Sequence, residues 1–447
     1  MSKRIVIVGG GAGGMTTATQ VKKRMPDAEV VVFEKTQYVS WAGCPTPYYI
    51  ANELPQKSVL HQTAEYFTNE RGISTYINHS VERIDFEKNE IIVSGDEING
   101  NYKYDELVLS VGNNSFIPPV KGYSEEVEGV FKLSHVTDAF KIKKYIDEKK
   151  PAKGVIIGGG FIGVEMAETF QKRGIKTDLV EMESEILPKF DFNLKKSIIK
   201  KAKEKEINFN LGKYVVEIKK ENNKVKSIVL NTGEEIETNI ILMSVGVRPN
   251  LEILNNSNYE LKDNILRVND YLQMNYKNVY AIGDMIFTKN KLTGEEVYAP
   301  FGDVADKQAI IVAKNIAGQK RKYKGVMGTF ASSFYDIKIA KTGFSINEAK
   351  KAGFEAKSIT VSGITKALSF KEKGGGKMEI VYDVKLKKIL GAAMVGNEAI
   401  AQFIDQVAIV ISNDLSLEDI FDVDYAYSPT NSSVWNPLLT AYRKLIE

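Results

Sequence analysis

A short apolar strand followed by a glycine cluster and a helix-like stretch occurs twice in the chain, and this repeat restricts the fold more than any other feature. The first copy reads Arg4-Ile-Val-Ile-Val-Gly-Gly-Gly-Ala-Gly-Gly14, and the second reads Gly154-Val-Ile-Ile-Gly-Gly-Gly-Phe-Ile-Gly163. A second apolar strand follows each copy, Glu29–Glu34 or Lys176–Glu181. Because this is the β–α–β unit that binds the ADP half of a dinucleotide, the sequence predicts two Rossmann-like domains.

The glycines of each fingerprint have separate roles. The first and third positions permit a tight turn and close approach of a pyrophosphate, and they are Gly9, Gly11, Gly158 and Gly160. The last glycine of each copy, Gly14 or Gly163, lets the helix pack on the strand. The helix N-terminus then faces the phosphates, so each copy predicts a phosphate-binding turn.

A glutamate ends the second strand of each unit. Glu34 and Glu181 follow their fingerprints by about 20 residues, the spacing at which a carboxylate accepts hydrogen bonds from a ribose 2′-hydroxyl. A carboxylate there repels a 2′-phosphate. We therefore expect two bound dinucleotides, with Glu181 favouring NADH over NADPH.

Three further segments are predicted to be strands whose carboxyl ends lie at the ligand-binding edge of a sheet. Tyr104–Gly112 and Asn239–Gly246 are apolar runs that stop at a glycine, and Asn278–Asp284 delivers a carboxylate. From about Lys322 the pattern changes to the shorter strands Ile337–Lys341, Met378–Tyr382 and Ile389–Val395 and an apolar helix, Glu398–Ile411. This change predicts a third, α+β domain. Solvated turns are expected at Gly100–Tyr104, Glu221–Lys224 and Lys371–Gly376.

Composition limits the chemistry. With one cysteine, Cys44, among 447 residues, an intramolecular disulfide, a CxxC redox pair and a cysteine-built metal site are excluded, and we expect no metal. The net charge of +3 is too balanced to predict nucleic acid or an anionic membrane as a partner. The N-terminus lacks a signal-peptide pattern and no run of 18 apolar residues occurs, so a cytoplasmic protein is expected.

Taken together, the two fingerprints, the strand–glycine motifs and the α+β C-terminal third resemble the two-dinucleotide FAD/NAD(P)H disulfide oxidoreductases over essentially the whole chain. The resemblance implies an FAD-binding domain at 1–116 and 245–321, an NAD(P)H-binding domain at 117–244 and a dimerisation domain at 322–447. It implies FAD contacts from Gly9, Gly11, Ala12, Gly14, Glu34, Lys35, Val81, Ser110, Gly112, Asp284 and Phe301. It implies NAD contacts from Gly158, Gly160, Phe161, Ile162, Gly163, Glu165, Glu181 and Gly246, and a homodimer.

The segment Val39-Ser-Trp-Ala-Gly-Cys-Pro-Thr-Pro-Tyr48 resembles the single-cysteine branch of this family. That branch includes coenzyme A-disulfide reductases, NADH-dependent persulfide and polysulfide reductases, and NADH oxidases and peroxidases. Oxidases and peroxidases usually carry a histidine inside the first fingerprint, where this chain has Ala12. The resemblance therefore favours reduction of a small disulfide, persulfide or polysulfide, with coenzyme A disulfide as the first candidate. An NADH oxidase that cycles through a sulfenic acid and a non-catalytic flavoprotein redox sensor remain alternatives.

Cys44 is the expected nucleophile, since it lies shortly after the ribose acid and at the start of a predicted helix whose N-terminus would stabilise a thiolate. The resemblance assigns Phe161 as an aromatic gate at the nicotinamide site and Glu165 as a carboxylate near the flavin. Tyr425 and Tyr427 match the aromatic segment that a partner subunit presents, with Tyr427 the better proton donor. Coenzyme A contacts are implied at Thr16, Gln20, Lys23, Ser40 and Arg71.

Overall fold

The computed structural model describes residues 2–188, 190–254, 259–367, 369–371, 374–397 and 399–446. Its centre is formed by two five-stranded parallel sheets, one for each glycine fingerprint. The strands of the first sheet, in spatial order, are Val279–Ala281, Glu106–Leu109, Arg4–Val8, Glu29–Glu34 and Ser74–Ile77. Those of the second are Asn208–Leu211, Lys176–Glu181, Lys153–Ile157, Ile240–Met243 and Val130–Lys132.

The two sheets share one topology. In each, the fingerprint strand is central and pairs on one side with the strand that ends in the glutamate. Ile5, Ile7, Ile156 and Leu179 are fully buried, which is typical of parallel strands that are covered on both faces. The predicted α/β architecture with two Rossmann-like units is confirmed.

A five-stranded antiparallel sheet forms the C-terminal region. Its strands, in spatial order, are Phe330–Phe334, Ile337–Gly343, Lys388–Gly396, Gly376–Asp383 and Ala356–Gly363. The helix Ile400–Ser412 packs on this sheet through Ile404 and Val407. The predicted α+β region is confirmed, although position 398 of the predicted helix lies outside the described residues. Phe330–Phe334 is a border strand of this sheet, and we call it the edge strand.

The described residues also form five shorter sheets. Two are three-stranded and antiparallel, and the remaining three are two-stranded: Ser80–Asp85, Glu90–Ser94 and Gly100–Lys103; Val215–Glu221, Lys224–Leu230 and Glu235–Glu237; Val247–Pro249 with Asn113–Ser115; Leu261–Lys262 with Ile265–Leu266; Thr288–Lys289 with Glu296–Val297.

The expected solvated turn at Gly100–Tyr104 is wrong, since Gly100–Lys103 is a strand that pairs with Glu90–Val93. Tyr104 is buried, and an apolar ring at the end of this segment argues against a solvated turn. Residues 221–224 do form a hairpin turn, and 372–373 of the third expected turn lie outside the described residues.

Helices cover the sheets. The α-helices are Ala12–Arg24, Thr46–Ile50, Ala64–Arg71, Val136–Lys149, Phe161–Lys172, Lys196–Glu204, Gly302–Ile316, Ile346–Lys351, Ile400–Ser412, Leu417–Phe421 and Pro437–Ile446. Short 3₁₀ helices span Gln56–Ser58, Glu252–Leu254 and Gly283–Met285. We call Phe161–Lys172 the second fingerprint helix and Thr46–Ile50 the cysteine helix. Over the described ranges, no helix has the length and apolar character needed to cross a membrane.

Candidate active site

The two fingerprint turns have nearly identical backbone geometry. Gly9 has φ of 102° and Gly158 has φ of 108°, values that a residue with a Cβ rarely adopts. A Cβ on Gly14 or on Gly163 would lie 1.9 Å from the carbonyl oxygen of Gly9 or Gly158, so helix and strand are packed at glycine distance. The turn around Gly160, in contrast, has open space next to its Cα. This cradle fits a pyrophosphate at each helix N-terminus.

The strand-ending glutamates bind the turns they face. Glu34 Oε2 accepts the Gly10 amide at 2.7 Å, and its Oε1 accepts the Thr36 amide at 2.8 Å. Glu181 Oε2 accepts the Gly159 amide at 2.5 Å, and its Oε1 accepts the Glu183 amide at 2.8 Å. Both carboxylates are thus fixed beside a fingerprint turn.

One cavity of about 3440 Å³ joins both fingerprints to the region around Cys44. It is lined by most of the predicted cofactor residues: Gly9, Gly11, Ala12, Glu34, Lys35, Val81, Ser110, Gly112, Gly158, Gly160, Phe161, Ile162, Glu165, Glu181, Gly246, Asp284 and Phe301. Gly14 and Gly163 lie behind its wall, where they pack helix against strand. The structure therefore gathers both predicted dinucleotide sites and the cysteine on a single internal surface.

Cys44 opens onto this cavity and precedes the short cysteine helix. Pro45 is the capping residue of that helix, and Pro47 lies in its first turn. The pKa of the Cys44 thiol is raised, first because surrounding protein atoms reduce its hydration and next because of the negative charge of Glu165. Cys44 precedes a helix of only five residues, and nearby carboxylates oppose its ionisation, so the expected stabilisation of a thiolate by the helix N-terminus is opposed by burial and by negative charge.

Glu165 is the fifth residue of the second fingerprint helix and follows its first turn. Its Oε1 accepts a hydrogen bond of 2.7 Å from the Ser332 hydroxyl. Desolvation raises the pKa of Glu165 to about 7, although the Ser332 bond acts in the opposite direction. Glu165 can therefore hold or release a proton near neutral pH.

Asp284 follows the strand Val279–Ala281. Its Oδ2 accepts a 2.6 Å hydrogen bond from the side-chain amide of Asn113. Desolvation raises the pKa of Asp284 to about 6. A carboxyl group at the ligand edge of the first sheet is suited to accept hydroxyl hydrogen bonds from a polyol chain.

An aromatic cluster surrounds Phe161. The ring of Phe330 meets Phe161 edge to face at 4.4 Å and lies 6.4 Å from Phe301. Sequence reasoning missed Phe330, Ser332 and Ser333, because the edge strand has no motif and meets the fingerprints only through the fold. The residue Tyr48, whose hydroxyl lies 2.9 Å from Ser333 Oγ, was also missed.

The residues expected to contact coenzyme A are only partly available to a ligand. Thr16 Oγ1 donates to Asp306 Oδ1 at 2.7 Å, and Gln20 accepts from Arg24. Both line the cavity with Ser40, which has a left-handed backbone conformation. Lys23 and Arg71 are exposed and lie outside the cavity lining, and Arg71 donates to Tyr66.

Tyr427 does not line the cavity of its own chain. It is 55% exposed, whereas Tyr425 is half-buried. Tyr427 belongs to a group of exposed large apolar side chains in the C-terminal region: Ile409, Phe421, Val423, Tyr427, Val434 and Trp435. Exposed large apolar side chains of this kind are typical of protein–protein contacts.

Two family models match this chain. Residues 3–308 match "Pyridine nucleotide-disulphide oxidoreductase", and residues 329–438 match "Pyridine nucleotide-disulphide oxidoreductase, dimerisation domain". The chain is 31% identical over 450 residues to an NAD(P)H sulfur oxidoreductase (CoA-dependent) of Pyrococcus abyssi, with 100% of this chain and 98% of the relative covered. It is 32% identical to an NADH oxidase of Methanocaldococcus jannaschii, with 98% and 97% covered.

A solved structure has the same fold. The NAD-dependent persulfide reductase from A. fulgidus superposes with a TM-score of 0.93 at 26% identity. The match covers 99% of this chain and 83% of that one. The three-part architecture is therefore one already observed in a reductase of sulfur compounds.

Proposed function

The chain belongs to the pyridine nucleotide-disulphide oxidoreductase family, and on this premise we propose that it uses NADH to reduce a low-molecular-weight disulfide, persulfide or polysulfide through Cys44. One observation carries this proposal: the lone cysteine opens onto the same cavity as both glycine fingerprints. The relatives named for sulfur and persulfide reduction support the substrate class. The coenzyme A form of the substrate is favoured because one of those names includes CoA dependence.

FAD is proposed at the first fingerprint and NADH at the second. Gly9, Gly11 and Glu34 would hold the adenosine diphosphate of FAD, and Asp284 its polyol chain. Gly158, Gly160 and Glu181 would hold NADH. When bound, the flavin supplies the means to pass the electron pair of NADH to sulfur. The remaining cofactor residues predicted above are proposed as their supporting contacts.

Cys44 is the proposed nucleophile. Its thiolate attacks one sulfur of the substrate, so that a new S–S bond to Cys44 forms while the substrate S–S bond breaks. The departing thiolate takes a proton. Reduction of the mixed disulfide by two electrons then breaks its S–S bond, returns Cys44 to the thiolate and releases the second substrate thiolate, which takes the second proton. Over a cycle, one NADH and one proton convert one disulfide into two thiols.

The dimerisation-domain match indicates a homodimer. In that dimer, Tyr427 of the partner subunit is the proposed proton donor to the departing thiolate. Tyr427 is one of several exposed large apolar side chains between Phe421 and Trp435, which supports a protein contact of this segment. We also propose the domain division given above, with 1–116 and 245–321 for FAD, 117–244 for NADH and 322–447 for dimerisation.

The substrate channel is proposed to begin at Thr16, Gln20 and Ser40 and to leave the protein near Lys23 and Arg71. The first three line the cavity that contains Cys44. The two cations are exposed, as phosphate-binding side chains at a channel mouth would be. Thr16 donates its hydroxyl hydrogen bond to Asp306 in this structure. To contact the substrate, the Thr16 hydroxyl must give up that hydrogen bond, and otherwise it can only orient the Asp306 carboxylate.

The test is anaerobic NADH consumption by the purified, FAD-loaded protein with coenzyme A disulfide, coenzyme A persulfide and polysulfide in parallel. We expect turnover with at least one of them, and loss of that turnover in Cys44→Ser. The matched control variant is Asp303→Asn, which changes an exposed carboxylate on the cavity wall. Wild-type protein alkylated with iodoacetamide is a second control, in which the Cys44 thiol is blocked without a substitution. Full disulfide turnover by Cys44→Ser would contradict the proposal.

A second candidate is an NADH oxidase, because the relative from M. jannaschii carries that name. In that case Cys44 would cycle through a sulfenic acid. Ala12 in the first fingerprint disfavours this alternative, since it supplies no acid–base group beside the cysteine. Steady NADH loss that requires both oxygen and Cys44, with no anaerobic turnover, would establish it instead.

A further inference from the structure

Trp41 lies between the first fingerprint turn and Cys44, and its backbone is held on both sides. The Ser40 amide donates to the Gly10 carbonyl at 2.8 Å, and Trp41 forms an isolated antiparallel bridge with Leu60. Ser40 has φ of 52°, a left-handed conformation that is uncommon for a residue with a side chain. The main chain therefore fixes the point from which the Trp41 side chain leaves the loop.

The indole ring of Trp41 reaches from the fingerprint turn to the segment that carries Cys44. Its Nε1 atom lies 3.9 Å from where a Cβ of Gly11 would be. At the opposite end of the ring, Cζ3 lies 3.6 Å from where a Cβ of Gly43 would be. The nitrogen is therefore the end of the side chain that faces the first fingerprint turn.

His135 restrains this ring. The imidazole and the indole meet edge to face, with their centroids 4.4 Å apart. The imidazole is itself fixed, because its Nδ1 accepts the backbone amide of Thr137 at 3.2 Å and caps the helix Val136–Lys149. Trp41 is thus packed against a neighbour that belongs to a regular element.

The indole N–H of Trp41 is a donor without an acceptor. The side chain lines the cavity, and no atom of the described residues accepts a hydrogen bond from Nε1. A partly buried indole N–H usually has a hydrogen-bond partner. Because this nitrogen faces the fingerprint turn, its acceptor is expected in a ligand that the turn holds.

The second fingerprint turn differs from the first at this point. Gly160 has the position there that Gly11 has in the first turn, and the space next to its Cα is open. The two turns otherwise have nearly the same backbone, with φ of 102° at Gly9 and 108° at Gly158. Trp41 therefore distinguishes two turns that are alike in their glycines.

We propose that the Trp41 indole N–H donates a hydrogen bond to a pyrophosphate oxygen of the FAD at the first fingerprint turn, so that Trp41 is a cofactor-binding residue. This inference rests on the proposed function, which places FAD at that turn. The acceptor is charged, and hydrogen bonds to charged acceptors are stronger than those between neutral groups. The additional donor favours tighter binding of the dinucleotide at the first turn than at the second.

The first experiment observes this hydrogen bond in the FAD-loaded protein. The chain has two tryptophans, and all samples carry Trp435→Phe, so that Trp41 alone remains. Replacement of Trp41 by 3-benzothienylalanine keeps the bicyclic ring and its packing but removes the N–H. We expect a phosphorus-31 resonance of the bound FAD to shift between the two samples. Identical phosphorus spectra overturn the proposal.

The second experiment measures the rate at which FAD leaves the protein, by timed separation of free FAD. The benzothienylalanine protein should release FAD at least about tenfold faster than the protein with Trp41, because a hydrogen bond to a charged acceptor is lost. Trp41→Phe also removes the N–H and should release FAD at least as fast. Equal release rates from the Trp41 and benzothienylalanine proteins overturn the proposal.

NADH binding by the same proteins is the matched control. The Kd for NADH should not change in either Trp41 replacement, because Trp41 faces the first fingerprint turn and the space beside Gly160 is open. A purely structural role of Trp41 would weaken the binding of both dinucleotides together. That result would also overturn the proposal.

These readouts need no turnover. A protein that shows the phosphorus shift and the faster FAD release, but reduces no disulfide, persulfide or polysulfide, would contradict the proposed function and leave the Trp41 contact standing. Cys44-dependent turnover without either effect would do the reverse. The two proposals can therefore fail separately.

Discussion

Glu181 Oε2 lies 2.5 Å from the Gly159 amide nitrogen, and the equivalent atom of Glu34 lies 2.7 Å from that of Gly10. Each carboxylate is only 6% or 8% exposed, and each is held by two backbone amides. Each carboxylate is therefore held in place by the turn it faces, and we predict that its charge lies next to the 2′-position of a bound ribose.

For Glu181→Gln we expect a loss of discrimination between NADH and NADPH. Removal of the buried charge removes repulsion of a 2′-phosphate, so the ratio of kcat/KM for NADH over NADPH should fall by at least about tenfold. Steady-state kinetics with both nucleotides measures this. Glu34→Gln is the matched control and should weaken FAD retention with the nucleotide ratio unchanged. The same fall in both variants would contradict separate sites.

Gly163→Ala should destabilise the fold, because its Cβ would lie 1.9 Å from the Gly158 carbonyl oxygen. We expect a loss of about 2–3 kcal/mol in the free energy of unfolding. Gly160→Ala meets nothing within 4 Å and should fold normally, but its methyl group enters the predicted pyrophosphate cradle and should raise the KM for NADH. Chemical denaturation and kinetics separate the two effects. Normal stability of Gly163→Ala would argue against this helix–strand packing.

Asp284 should make the flavin-free protein less stable as pH rises. Its pKa is raised from 3.8 to about 6, so the folded state binds a proton more tightly than the unfolded chain. The unfolding free energy therefore falls between about pH 4 and pH 6, by on the order of 3 kcal/mol. Asp284→Asn should abolish that fall and exceed wild type in stability at pH 8. Asp303→Asn is the control and should show the wild-type decrease of unfolding free energy with pH, measured by denaturant titration at each pH. The same decrease in Asp284→Asn would contradict the argument from burial.

Tyr427→Phe should lower disulfide turnover by at least about tenfold if its hydroxyl serves as a general acid. Because Tyr427 is exposed and lies outside the cavity of its own chain, the defect should be rescued across subunits. Denatured and refolded mixtures of Tyr427→Phe with Cys44→Ser should regain roughly a quarter of the wild-type sites, since half of random dimers are mixed and carry one intact site. A mixture no more active than either parent would exclude this shared site.

Much of this protein was determined by local sequence. The glycine fingerprints, the acids at 34 and 181 and the strand-ending glycines predicted two parallel sheets, because tight turns and strand–helix packing impose residue types at fixed spacing. The strand Glu29–Glu34 and the strand Lys176–Glu181 have the predicted bounds. The single cysteine was also identified from the sequence, because counting residues of one type requires no knowledge of the fold.

The surroundings of Cys44 were decided only by tertiary structure. Ser332, Ser333 and Phe330 reach the cavity from an antiparallel sheet that is distant in sequence, and no local pattern marks them. The thiol's pKa likewise depends on burial and on carboxylates from three separate elements. Spacing along a chain encodes turns and strand ends, whereas desolvation and charge add up over all neighbours in space, so only the folded chain sets them.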